Sequence, residues 1–215
     1  MKKNIILLTA ILIATGFSTF AANYEETMKQ NIAKLNQLRS ANELTELANQ
    51  FDRIGQKETK EWLPEYYAAY SYMSILFFNT DLTPEQKKGY IEKAQAHIDK
   101  TLAINDKESE IYVLQGMLYS LSITDASNAY QLSTQSNEAL AKAEKLNPDN
   151  PRIYYLKGLN VYHTPAEFGG GASVAKPLFV KAESLFKQQK SKNPLMPQWG
   201  EYNNNMVLSQ YGENK

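Results

Sequence analysis

Three tyrosine-led segments limit what this chain can fold into. Tyr67, Tyr112 and Tyr154 are each followed four residues later by a small residue, Ser71, Gly116 and Gly158, so the small positions recur at intervals of 45 and 42 residues. A second set keeps step with the first: Ala94, Ile98 and Thr101 align with Ser136, Leu140 and Ala143, and Ala175, Phe179 and Ala182 repeat the spacing again. Residues four apart share one face of a helix, and a small residue on that face lets two helix backbones approach closely. A period near 40 residues therefore points to stacked helical hairpins, each unable to bury its apolar face without neighbours.

The finer pattern agrees. From Ala22 onward apolar residues recur every three or four positions, and no stretch alternates cleanly enough to compel a strand. The spacing predicts an all-α chain with helices over Tyr24–Leu38, Ala41–Ile54, Glu61–Phe78, Pro84–Ala103, Glu108–Ser122, Ser127–Leu146, Arg152–Tyr162, Ser173–Gln189 and Gln198–Ser209. Their boundaries are chemical. In "DLTPEQ", Thr83 is placed to cap, Pro84 takes the first helical position where no N–H is needed, and Gln86 completes a capping box. "SANE" from Ser40 to Glu43 predicts a second box, and "NPDNP" at 147–151 ends one helix before the next begins.

The first residues read differently. Met1, Lys2 and Lys3 form a positive lead, Ile5 to Phe17 an apolar run, and Thr19-Phe20-Ala21 a small-x-small cleavage pattern, which predicts a secretion signal over 1–21. The expected location is outside the cytoplasm, the periplasm if the source is a Gram-negative bacterium. The run is shorter than the roughly 20 apolar residues of a membrane span, so no permanent membrane insertion is expected. The chain contains no cysteine, which excludes disulfides and thiolate metal sites. With Lys2 and Lys3 removed the net charge is −2, and a nearly neutral chain offers nucleic acid no obvious surface.

At the level of motif the chain resembles the tetratricopeptide-repeat (TPR) family. "YVLQGMLY" carries Tyr112, Gly116 and Tyr119, with Gln115 where that family usually has leucine. "SNEALAKAEKLNP" carries Leu140, Ala143 and Pro148, with Ser136 in place of the first alanine. A third copy has Tyr154, Gly158 and Val161, then Ala175, Phe179 and Ala182 after a lengthened turn. The resemblance implies a solenoid of stacked antiparallel hairpins. Its expected parts are an N-terminal helical cap at 22–60, three long hairpins at 61–190 and a C-terminal cap at 191–215. The proline-anchored FGG turn and the closing "PQWG" are also similar to exported Gram-negative repeat proteins, some of them helpers of solute transport.

Chemistry is sparse. Gly169, Gly170 and Gly171 follow a helix rather than a strand, and no GK[ST] ending accompanies them, so they predict a tight turn and not a phosphate loop. Phe168 is expected to plug the apolar end of that hairpin. His97 and His163 are the only histidines and form no HxxxH or HExxH pair. His97 is expected on a partly exposed helix face with no special role. Neither catalytic residues, a cofactor nor a metal site is expected.

The tyrosines carry more, since all 14 of them follow the signal segment. Tyr67, Tyr112 and Tyr154, at the signature position, should be buried. In TPR proteins partners touch fixed positions of the first helix in each hairpin. The resemblance places Tyr72, Met117, Arg152, Tyr155, Tyr162 and His163 on a concave partner-binding face, with Glu65, Glu110 and Arg152 as edge charges. Pro194, Pro197 and Trp199 should fold the last segment back over the repeat that ends at Phe186. The reading that follows is a non-catalytic scaffold for a protein or peptide partner. The alternative is a carrier or adaptor for a small organic solute, which needs an enclosed pocket rather than an open groove.

Overall fold

The computed structural model describes residues 23–189, 191 and 193–213, so the secretion signal expected over 1–21 lies outside the described residues. What it describes is an elongated all-α array of paired helices. The helices are α1 (23–35), α2 (Ala41–Lys57), α3 (Leu63–Phe78), α4 (Pro84–Ile104), α5 (Ser109–Leu121), α6 (Ala126–Leu146), α7 (Pro151–His163), α8 (Ala172–Gln188) and α9 (Glu201–Glu213). A single 3-10 turn, Ala166–Phe168, lies between α7 and α8. Each lies within a few residues of the helix that the apolar spacing predicts.

The boundaries follow from local chemistry. The capping box at the start of α4 forms in full, with Gln86 N–H donating to Thr83 Oγ1 at 3.2 Å and Thr83 N–H donating to Gln86 Oε1 at 2.8 Å. Asn150 caps α7 by accepting from Arg152 N–H at 3.0 Å, and Pro151 occupies the first helical turn. The box expected at "SANE" does not form: Ser40 precedes α2 but makes no side-chain capping bond.

Helices pair as neighbours in sequence, α3 with α4, α5 with α6 and α7 with α8, while α2 lies along α3 and α9 covers α8. The first helices α3, α5 and α7 also touch in series. The small positions sit where the pairs close. A Cβ added at Gly116 would stand 3.0 Å from Leu140 Cγ and 3.2 Å from the Ser136 carbonyl oxygen. One added at Gly158 would stand 2.7 Å from the Phe179 ring. Ser71, at the equivalent place in α3, is fully buried and returns its hydroxyl to the Tyr67 carbonyl at 2.7 Å.

The signature tyrosines are buried as the register requires. Tyr112 and Tyr154 each donate to the carbonyl six residues upstream, Asp106 and Pro148, at 2.9 Å. Tyr67 departs from this. Its hydroxyl donates instead to the carbonyl of Leu195, 128 residues away, at 2.7 Å.

The α7–α8 connection is a turn built on glycine. Gly169 and Gly171 have φ of 82° and 105°, and a Cβ on Gly170 would meet the Thr164 carbonyl. The N–H groups of Gly169, Gly170 and Gly171 donate to the carbonyls of Ala166, Pro165 and Val161. Phe168 does not plug the hairpin: it is 77% exposed, because the 3-10 turn points its ring outward while Phe179 fills the interior.

Gly158→Leu should therefore destabilise the array by at least ~1–3 kcal/mol, since even a Cβ there falls 2.7 Å from the ring of the fully buried Phe179. Thermal melting followed by circular dichroism measures it, with a lowered midpoint expected.

Candidate functional site

The segment between α8 and α9 determines where a ligand has room. Residues 193–200 run back across the first helices and are held by side chains from both ends of the array. At the α7 end, Arg152 is completely buried. Its Nε donates to both oxygens of Glu110 at 2.9 and 3.1 Å, and its terminal nitrogens donate to the carbonyls of Pro197 at 2.6 Å and Trp199 at 3.1 Å. At the α3 end, Tyr67 holds the Leu195 carbonyl, and Trp199 Nε1–H donates to Tyr66 Oη at 2.8 Å. The Trp199 ring stacks on Tyr70 with centroids 5.5 Å apart and planes 15° apart.

Glu110 is equally enclosed. Asn150 Nδ2–H donates to its Oε1 at 3.0 Å and Arg152 supplies the opposite charge, so the carboxylate is paired and hydrogen-bonded within the core. Two elements of sequence thus converge on one buried pair: position 110 at the start of α5 and position 152 at the start of α7.

Between α1, α3 and this returning segment lies a cleft of about 350 Å³, walled by Ile32, Leu35, Tyr67, Tyr70, Met196 and Trp199, with Asn36 and Gln198 adding polar groups. Its volume falls at the lower end of the ~300–1,000 Å³ of small-molecule sites, and polar and apolar atoms share its exposed lining about equally. Burial pushes the Tyr70 phenol well above its ordinary pKa. Burial, with the nearby Glu110 carboxylate, does the same to Tyr67. Both phenols remain protonated at neutral pH. A larger depression of about 660 Å³ between α1 and α2 is walled mainly by polar and charged side chains such as Gln30, Lys34, Gln50, Arg53 and Lys57.

The residues expected on a concave partner face are placed unevenly. Tyr72, Met117 and Tyr155 are buried. Tyr72 stacks on His97 and Tyr90 and donates to Asn49, which puts it between α2 and α4 rather than on an open groove. Tyr155 packs against Phe179. Tyr162 and His163 reach the surface at the end of α7, ring edge against ring face. The expectation that Glu65, Glu110 and Arg152 are edge charges is overturned, since all three are buried and paired within the chain. The physical reasons differ: the returning segment closes over Arg152 and so encloses its pair with Glu110, whereas Glu65 is enclosed by α2 and α4. The returning segment also reaches farther than the repeat ending at Phe186, to α3. His97 is likewise buried rather than partly exposed, with its Nδ1 2.5 Å from Glu65 Oε2.

The cleft was not legible in sequence. Tyr70 lies three residues after the signature Tyr67 and carries no motif of its own, and Met196 and Trp199 become wall residues only because their segment folds back. The one available signal was the cluster of Pro194, Pro197 and Trp199, which announces an extended, packed segment without naming its destination.

No family model matches the chain, and no curated protein matches it. Among solved structures it is similar to the HusA haemophore from Porphyromonas gingivalis, with 29% identity and a TM-score of 0.78 over 89% of this chain and 94% of that one. It is also similar in fold to a thermophilic TPR protein of Thermus thermophilus, with 17% identity and a TM-score of 0.55 over 86% of this chain and 89% of that one. Like these structures, the chain is all-helical over its described residues. Among the described residues no helix is long and apolar enough to cross a membrane.

Arg152→Met should cost ~3–5 kcal/mol, because it strands the buried Glu110 carboxylate and frees the carbonyls of Pro197 and Trp199. Adding Glu110→Gln should recover part of the loss. Urea denaturation of the two variants measures both.

Proposed function

We propose that the chain is an exported carrier of a small, flat, largely apolar ligand of the tetrapyrrole class, taken into the cleft between α1, α3 and the returning segment. The observation that supports this reading is the end-to-end likeness to a haemophore at 29% identity, together with an aromatic-walled cleft that would take in part of such a ring. The pattern of Lys2, Lys3 and the apolar run before Ala21 supports export, and the periplasm or beyond is the compartment it implies.

The scaffold reading, a peptide held along the first helices, has less to support it. That path is crossed by the chain's own residues 193–200, whose carbonyls already take the hydrogen bonds of Tyr67 and Arg152. A peptide would have to displace them.

The residues present suit ring recognition better than iron ligation. His97 and His163 do not line the cleft, Tyr67 spends its hydroxyl on Leu195, and Tyr70 stays a neutral phenol. Tyr70 and Trp199, stacked on each other, and Met196 wall the cleft with aromatic and polarizable atoms, which a planar macrocycle engages by van der Waals contact whether or not it carries a metal. Asn36 and Gln198 at the wall are placed to hydrogen-bond polar groups at the ligand's edge.

Haem and metal-free protoporphyrin should accordingly quench the tryptophan fluorescence of the chain with similar affinity. Tyr70→Ala removes one aromatic wall and the ring that holds Trp199 in place, and should weaken both by about tenfold, or ~1.4 kcal/mol. Tyr130, 85% exposed on α6 and outside the cleft, supplies the control, since Tyr130→Ala should leave binding unchanged. Equal affinity in the native chain and Tyr70→Ala would remove the cleft as the site, and absence of binding for either porphyrin would remove the ligand class.

A further inference from the structure

The start of each first helix carries a charged residue at the same repeat position, and each charge is answered differently. Glu65, Glu110 and Arg152 occupy that position in α3, α5 and α7. Glu110 and Arg152 close on each other in a fully buried pair. Glu65, equally buried, has no guanidinium. It faces His97 and Lys100 of α4 and lies beside Asp52 of α2. The corresponding positions of α6 lack this arrangement: Ala139 stands in register with His97, and Lys142, in register with Lys100, lies over the Tyr112 ring at 4.2 Å.

The donor set around Glu65 is that of a cation site. His97 Nδ1 is 2.5 Å from Glu65 Oε2 and 3.9 Å from Asp52 Oδ1, and one ligand atom from each of the three residues lies within 4.8 Å of the others. The donors come from three helices, and each is held in place. The His97 ring stacks on Tyr72 at 5.7 Å, Gln56 donates to Asp52 Oδ2 at 2.6 Å, and Gly55 gives Glu65 room: a Cβ there would stand 2.6 Å from Oε1. A cation already occupies the neighbourhood. Lys100 Nζ is 2.7 Å from Asp52 Oδ1 and 3.4 Å from Glu65 Oε2, yet its side chain is 49% exposed. An ammonium on a half-exposed stem can swing into water, which the buried guanidinium of Arg152 cannot do.

We propose that Asp52, Glu65 and His97 form a binding site for a divalent transition-metal cation of the zinc class, from which the Lys100 ammonium is displaced. One imidazole and two carboxylates make a nitrogen and oxygen donor set that Zn²⁺ accepts at ~2.0–2.2 Å, and small side-chain rotations bring the three atoms onto that sphere. His97 ligates through Nδ1 and keeps its proton on Nε2. A water molecule completes the coordination on the side that Lys100 vacates. The bound ion ties α2, α3 and α4 together, so it stiffens the N-terminal side of the array. This site shares no wall residue with the porphyrin cleft and stands independently of it.

Zn²⁺ titration of the chain, purified without an affinity tag and followed by calorimetry, tests the proposal. One saturable site is expected, together with a raised melting temperature. His97→Ala and Asp52→Asn should each weaken it at least tenfold, and His163→Ala, which changes the other histidine, should not. Lys100→Met should tighten binding severalfold, a direction that general loss of structure does not produce. Co²⁺ in place of Zn²⁺ should give visible d–d absorption that His97→Ala abolishes. The proposal is overturned by no saturable binding at millimolar Zn²⁺, by binding that survives His97→Ala, or by a Lys100→Met chain that binds no tighter. Each would mean that these four residues are a structural ion cluster only.

Discussion

The buried pair of Arg152 and Glu110 is the contact on which the arrangement of this molecule turns. A charge without water is costly unless it is paired and its remaining hydrogen-bonding capacity is met. Glu110 meets Arg152 on one side and Asn150 on the other, and Arg152 directs its remaining donors at Gln189, Pro197 and Trp199. Because those last acceptors belong to the segment after α8, satisfying the arginine and folding the segment back are one event. The same event stacks Trp199 on Tyr70 and brings Met196 into place, and so makes the cleft.

Repeat arrays are built from units that differ in their surroundings even where their sequences align. Tyr112 and Tyr154 donate to the turn that precedes their own helix, whereas Tyr67 at the same register reaches the distant Leu195. Glu65 and Glu110 align as well, but one is closed by an arginine and the other is faced by a histidine and a half-exposed lysine. The departures from the repeat, rather than the repeat itself, are where ligand chemistry becomes feasible. They gather around α3, where the N-terminal helices and the returning segment both meet the array.

The helices and their register were legible in the sequence because both are properties of local spacing. Apolar periodicity, the Thr83–Gln86 box, Pro151 and the small positions at 71, 116 and 158 act within a turn or two, or between adjacent helices. The Phe179 ring against Gly158 closes a hairpin whose members neighbour each other in the chain. The same locality misled the reading of Phe168, which looks like an interior residue by type and is exposed because three residues of 3-10 turn aim it outward.

What the sequence by itself determined was the all-helical class, the hairpin pairing and the burial of Tyr67, Tyr112 and Tyr154, all legible from spacing within a few dozen residues. What only the tertiary structure decided was which charged and aromatic residues are surface and which are core. Tyr67 meets Leu195 across 128 residues, and Trp199 meets Tyr66 across 133. No periodicity encodes such contacts, because they depend on where a whole segment comes to rest. Arg152 and Glu65 read as solvated edge charges until that segment and helix α4 cover them, and burial changes what a charge must do: Arg152 pairs with Glu110, and Glu65 with His97 and Lys100.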